Sequence, residues 1–112
     1  MNEKRRRQRL AEKIPLRHLV VGGPPGSGHT INISEEGAGL VLDSQGVAPS
    51  FLIVDLFLDG AIVRARCERR WERRRPGGVE VGVAFQPLEP DDAEHLRRWL
   101  MEKSLSDYGL IS

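Results

Sequence analysis

Two short stretches carry side chains that can grip a small anion or the edge of a base. Arg5, Arg6, Arg7 and Arg9 crowd the first ten residues, and Arg5 and Arg9 stand at the ends of an RxxxR spacing. A guanidinium is a planar fork that meets a phosphate, or the O6 and N7 edge of a guanine, through paired hydrogen bonds. Asn32-Ile33-Ser34-Glu35-Glu36-Gly37 has the form [D/N]xSxxG. It offers an amide that both donates and accepts, a short hydroxyl, and a glycine that permits close backbone approach. Taken separately, the arginines also describe a solvated basic tail, Ser34 to Gly37 also describes a β-turn, and Asn32 a solvated strand residue.

A third stretch resembles a nucleotide site and is rejected. Gly23-Pro24-Pro25-Gly26-Ser27-Gly28-His29-Thr30 approximates GxxxxGK[ST], and Phe51-Leu52-Ile53-Val54-Asp55 could pass for the strand that holds magnesium in that class. The lysine that reaches the β and γ phosphates is replaced by His29, mostly neutral at pH 7. The phosphates also need a helix N-terminus directly after the glycines. Here Thr30-Ile31-Asn32-Ile33 is a β-type run, followed by Gly37 and Gly39. A Gly/Pro loop joining two strands is the simpler reading.

Composition narrows the classes further. The chain has 112 residues, 39% apolar and 29% charged, which suits one soluble domain. Seventeen basic against sixteen acidic residues leave a net charge of +1, so no global grip on a nucleic-acid polymer is expected. Fourteen of the seventeen basic residues are arginine, the residue suited to bidentate recognition, although an arginine-rich codon bias would give the same excess. The three histidines, His18, His29 and His95, and the single Cys67 fall at no zinc-binding spacing, so no metal is expected. One cysteine forms no internal disulfide and fits a reducing cytoplasm. No apolar run approaches a membrane span, and no apolar segment follows the basic N-terminus as in a secretory signal. No nucleophile–base pair is visible, and no catalytic residue is expected.

The elements that must position these groups read mainly as strands. Residues 1–13 form a flexible basic arm without apolar period. Ile14 to Val21 reads as a strand, Gly22 to Gly28 as a loop, Thr30 to Ile33 and Ala38 to Leu42 as strands. Phe51 to Leu58 and Ala61 to Trp71 form a hairpin closed by Asp59-Gly60. Val63, Ala65, Cys67 and Trp71 share its inward face, with Trp71 expected in the core. Arg73 to Gly78 reads as a basic turn, with Arg69 to Arg75 as a solvated tip, a partner surface or a further phosphate contact. Val79, Val81, Val83 and Phe85 alternate with polar or small residues as a half-buried strand. Asp91-Asp92 opens a helix to about Ser104, with Leu96, Trp99 and Leu100 on its apolar face. Residues 14–104 thus form the folded unit and 105–112 a tail. The fold class is mainly all-β: a six-stranded antiparallel barrel with a C-terminal α-helix.

The paired motifs in this order, the hairpin, the Gly82-Val83-Ala84-Phe85 strand before Pro87 and the closing helix together resemble the PilZ domain family, over about Arg5 to Leu100. The resemblance implies a six-stranded barrel and a bacterial receptor for the second messenger cyclic di-GMP. It places Arg5, Arg6, Arg9, Asn32, Ser34 and Gly37 at the ligand. Asn32 is a permitted variant of the commoner carboxylate. The chain is accordingly expected to be a non-enzymatic cytoplasmic module with no cofactor, and ligand binding is expected to order residues 1–13 across the barrel. With no output domain visible, the signal is expected to pass to a separate effector protein, without membrane insertion. The alternatives are a PilZ-like adaptor that does not bind cyclic di-GMP, a P-loop-like hydrolase, and an RNA-binding barrel. The last would need exposed aromatics, and most of the six are expected to face the core.

Overall fold

The Asp59-Gly60 turn sits where the hairpin reading puts it. Gly60 has φ of +93°, which a side chain would disfavour. It joins β4 (Phe51–Leu58) to β5 (Ala61–Arg75), paired from Leu58 opposite Ala61 to Phe51 opposite Glu68. A computed structural model describes residues 9–20, 22–43 and 49–107. The other strands are β1 (Pro15–Leu19), β2 (Gly26–Ile33), β3 (Gly37–Leu42) and β6 (Gly78–Phe85), and the helix α1 is Pro90–Asp107. The strands close a barrel in the order β1-β2-β3-β6-β5-β4, with β4 pairing back onto β1 and every pair antiparallel. Closure leaves no sheet edge to aggregate.

Alternation drives the packing. Leu52, Val54, Leu56 and Leu58 of β4, Val63, Ala65 and Cys67 of β5, and Val79, Val81 and Val83 of β6 are buried together with Ile33, Leu40 and Leu42. Each large aliphatic side chain withdrawn from water contributes roughly 1.5–3 kcal/mol before entropy is counted. Leu96 and Trp99 of α1 close on this core. Pro90 and the acidic pair Asp91 and Asp92 suit the helix start. Trp99 Nε1 donates to Asp59 Oδ2 at 3.1 Å and fastens the helix to the β4–β5 turn. No described helix is long and apolar enough to cross a membrane.

Four expectations change. The Gly/Pro loop is shorter than expected, because β2 already begins at Gly26. A side chain on Gly28 would meet the Val41 carbonyl at 2.2 Å, so this glycine serves strand approach and not a phosphate cradle. Strand β5 runs to Arg75, and the basic turn shrinks to Pro76-Gly77. The helix runs past Ser104 to Asp107. Finally, the aromatics do not mostly face inward: Phe51, Phe57 and Trp71 are exposed. For Trp71 the cause is a bulge between Arg69 and Trp71, which sets Trp71 opposite Gly82 and turns it out of the core.

Candidate functional site: the Arg9–Trp71 cleft

The described part of the N-terminal arm, residues 9–13, is held along β2. Leu10 and Ile33 exchange backbone hydrogen bonds of 2.8 and 2.9 Å. Thr30 Oγ1 donates to the Glu12 carbonyl and accepts from the Ile14 N–H at 2.8 Å. Arg9 is thereby brought over the second motif, and its Nη1 donates to Asn32 Oδ1 at 2.8 Å. Arg5 and Arg6 lie outside the described residues.

A bulge between Thr30 and Asn32 sets Asn32 opposite Gly39. The Gly39 N–H donates to the same Oδ1 at 3.1 Å. Two donors converge on that atom, which fixes which end of the amide is the oxygen and leaves Nδ2 as the donor end. Ser34 is buried and organises the β2–β3 turn. Its N–H donates to the Gly37 carbonyl at 2.8 Å, and its hydroxyl accepts from the Glu36 N–H at 3.1 Å. Gly37 packs against β6, where a side chain would meet the Val83 carbonyl at 2.3 Å. The Glu36 carbonyl accepts from the Phe85 N–H at 2.8 Å and ties the turn to the end of β6.

A cleft of about 590 Å³ opens beside this turn, with Arg9, Ser34, Arg70, Trp71 and Gly82 among its lining residues. Asn32 and Gly37 do not line it; Asn32 anchors Arg9, and Gly37 shapes the turn. Trp71, 44% exposed, lies over Gly82, where an added Cβ would sit 2.1 Å from the indole Nε1. The glycine is therefore what lets the ring lie close to the sheet. Arg73 stands 5.8 Å from the Trp71 ring centroid in cation–π geometry. Glu35, on the cleft rim, is drawn toward α1 by Arg97 at 3.8 Å. The cleft thus offers the guanidinium of Arg9, held by Asn32, that of Arg70, 3.4 Å from Glu68 Oε1, and an exposed indole face, beside Glu35 and Glu36. Trp71, expected in the core, lines the cleft instead, and Arg70 comes from the basic cluster for which a further phosphate contact was one reading; the β5–β6 register is what brings both there.

Other chemistry-bearing groups are engaged differently. Ser27 Oγ donates to Asp43 Oδ2 at 2.8 Å, and His18 Nε2 lies 3.3 Å from Asp43 Oδ1. The carboxylate sits between hydroxyl and imidazole, the reverse of the order a serine nucleophile needs. The Ser27 hydrogen bonds, ahead of the His18 contact, hold the Asp43 carboxyl below the usual range. Burial pushes the Cys67 thiol up to about 12, away from nucleophilic use. His29 is shifted down by burial and then by Lys13 and Arg75. No group of metal-ligating side chains occurs among the described residues.

A family model for the PilZ domain matches residues 3–102. The chain belongs to the PilZ domain family. A search of curated proteins finds no match. Solved structures share the fold at low identity. The PilZ domain of YcgR from Escherichia coli with c-di-GMP superposes with a TM-score of 0.69 at 11% identity, covering 96% of this chain and 99% of that one. The PilZ domain of CeSA from a cellulose-synthesizing bacterium gives 0.67 at 16% identity, covering 87% and 98%. The inhibitor of motility MotI/DgrA from Bacillus subtilis gives 0.72 at 17% identity, covering 90% of this chain and 52% of that protein. This PilZ chain therefore spans about half the length of the motility inhibitor.

Proposed function

We propose that this PilZ domain is a non-enzymatic cytoplasmic receptor for cyclic di-GMP that passes its signal to a separate protein. The observation that carries this reading is the 2.8 Å contact between Arg9 and Asn32, which joins the two motifs at the rim of one cleft. The cleft volume falls in the range of small-molecule sites. Arg9 and Arg70 would pair with phosphodiester oxygens or a guanine O6 and N7 edge, and Trp71 would stack on a guanine face. Arg5 and Arg6 would close over the ligand from the same arm, and Asn32 would hold Arg9 in place beside it. Ser34 and Gly37 would hold the turn that carries the rim.

Ligand closure would bring Arg5 and Arg6 over the cleft, extending the arm whose residues 9–13 already lie along β2. A micromolar ligand supplies about −8 kcal/mol, enough to order a short segment and not to refold a barrel. The neutral Asn32, whose oxygen already has two donors, favours a second reading: an adaptor that does not bind the dinucleotide. Calorimetry with cyclic di-GMP on the purified chain decides between them. Saturable heat at one site, weakened by Arg9→Ala and by Trp71→Ala, supports the receptor. No heat leaves the adaptor.

A further inference from the structure

The outer face of β1, β4 and β5 carries three cross-strand rows of a kind that a solvated surface does not need. Leu19, Ile53 and Arg66 form one row. Arg17, Asp55 and Arg64 form the next. Phe57 and Ile62 form the third. Phe51 and Ile62 are 59% and 57% exposed. The middle row is rigidly built. Asp55 is 2% exposed although it points outward, because two guanidiniums cover it. Arg64 Nε and Nη2 reach it at 2.8 and 3.0 Å, and Arg17 Nη2 reaches it at 3.0 Å. Two positive charges share one negative charge, so the row keeps one net positive charge. The side chain of Arg66 has no partner among the described residues. Its neighbours Leu19, Phe51 and Ile53 line a shallow groove of about 260 Å³ with it.

We infer that this face docks an acidic amphipathic helix of a partner protein. The two apolar rows are four residues apart along β4, or about 13 Å. Helix positions i and i+8 are about 12 Å apart, and i+4 lies midway. An apolar–acidic–apolar stripe at i, i+4 and i+8 therefore sets its carboxylate over the Arg17–Asp55–Arg64 row and its apolar side chains on the flanking rows. A second copy of this chain is disfavoured, since two like-charged faces would meet. Aliphatic side chains between the aromatics suit a protein better than a stacked nucleic acid, and the central ion-paired row interrupts the apolar surface that membrane insertion would need. In the closed order, β4 stands three strands from β3 in either direction, so the face lies across the barrel from the β2–β3 turn. The cleft and the groove share Gln86 as a lining residue, so the two sites adjoin at the end of β6, while the Arg17–Asp55–Arg64 and Phe57–Ile62 rows lie clear of the cleft. The inference deepens the adaptor half of the proposed function and rests on it.

The test uses the full chain and two fluorescently labelled 18-residue helical peptides. One carries Leu, Glu and Leu at i, i+4 and i+8, and the other replaces Glu by Lys. Anisotropy is expected to show about tenfold tighter binding of the Glu peptide. Ile62→Asp should weaken that binding about tenfold, Met101→Glu on α1 should leave it unchanged, and Arg66→Glu should shift preference toward the Lys peptide. Equal or absent binding of the two peptides overturns the inference. So does binding to phosphatidylglycerol vesicles or single-stranded poly(U) that Ile62→Asp abolishes, or a dimer in sedimentation that the same variant dissolves. Calorimetry with cyclic di-GMP on the same preparations reports the cleft alone. Heat lost there with peptide discrimination intact would sink the ligand reading and leave this surface standing.

Discussion

Arg9 Nη1 lies 2.8 Å from Asn32 Oδ1 across a separation of 23 residues. The same oxygen accepts the Gly39 N–H at 3.1 Å, so one amide fixes both the arm and the bulged end of β2. Asn32→Ala strands both donors. Its expected cost is about 1 kcal/mol of stability, read by denaturant unfolding, together with weaker binding of cyclic di-GMP. Asn32→Asp keeps both hydrogen bonds and adds charge toward Arg9, so its stability should match or exceed that of the parent chain. A loss as large as that of Asn32→Ala would contradict this geometry.

Trp71 and Gly82 form a coupled pair. Trp71→Ala should weaken cyclic di-GMP by about 1–3 kcal/mol, the usual worth of a base stacked on an aromatic, with little change in stability because the ring is exposed. Gly82→Ala should displace the ring, since the new Cβ would overlap the indole. Its effect on affinity should nearly vanish in the Trp71→Ala background. Independent, additive losses in calorimetry would refute the coupling.

Asp55 makes stability acid-sensitive. Its hydrogen bonds to Arg64, and then to Arg17, hold its carboxyl below the usual range against the opposing effect of burial. A lowered folded-state pKa stabilises the fold above the unfolded value near ~4 and loses that effect as pH falls through the folded value. Asp55→Asn should therefore cost about 1–3 kcal/mol at pH 7, and the gap to the parent chain should shrink below about pH 4. A gap that stays constant in urea titrations down to the acid limit would exclude this role.

Cys67 should be chemically silent in the folded chain. Burial pushes its thiol up to about 12, so the folded chain keeps it in the protonated, unreactive form near neutral pH. A thiol-disulfide colour reagent should react with it only after guanidinium is added. Rapid modification under native conditions would show that the barrel opens far more readily than its packing allows.

Much of the fold was readable because local signals agreed with it. Asp59-Gly60 between two β-type runs has one favoured solution, and Val79 to Phe85 alternates with a single possible inward face. The readings failed where register or neighbouring backbone decides. Nothing between Arg69 and Trp71 alternates in polarity, so the bulge that turns Trp71 outward left no trace in the pattern. Gly26 and Gly28 read as loop residues, yet Gly28 sits in a strand because the β3 backbone approaches it closely. The helix end was set too early because no Gly or Pro intervenes between Ser104 and Asp107. Both binding motifs were visible as residue types. That Arg9 lies against Asn32, with Arg70 and Trp71 across the cleft, depends on Leu10 pairing with Ile33, and one isolated apolar residue in a basic arm does not announce that.

The most direct measurement is calorimetric titration of cyclic di-GMP into the parent chain and into Arg9→Ala. The Arg9–Trp71 cleft predicts saturable binding by the parent chain and at least about tenfold weaker binding by the variant, the loss expected for one charged contact. Equal affinity in the two proteins, or no binding by either, would contradict it.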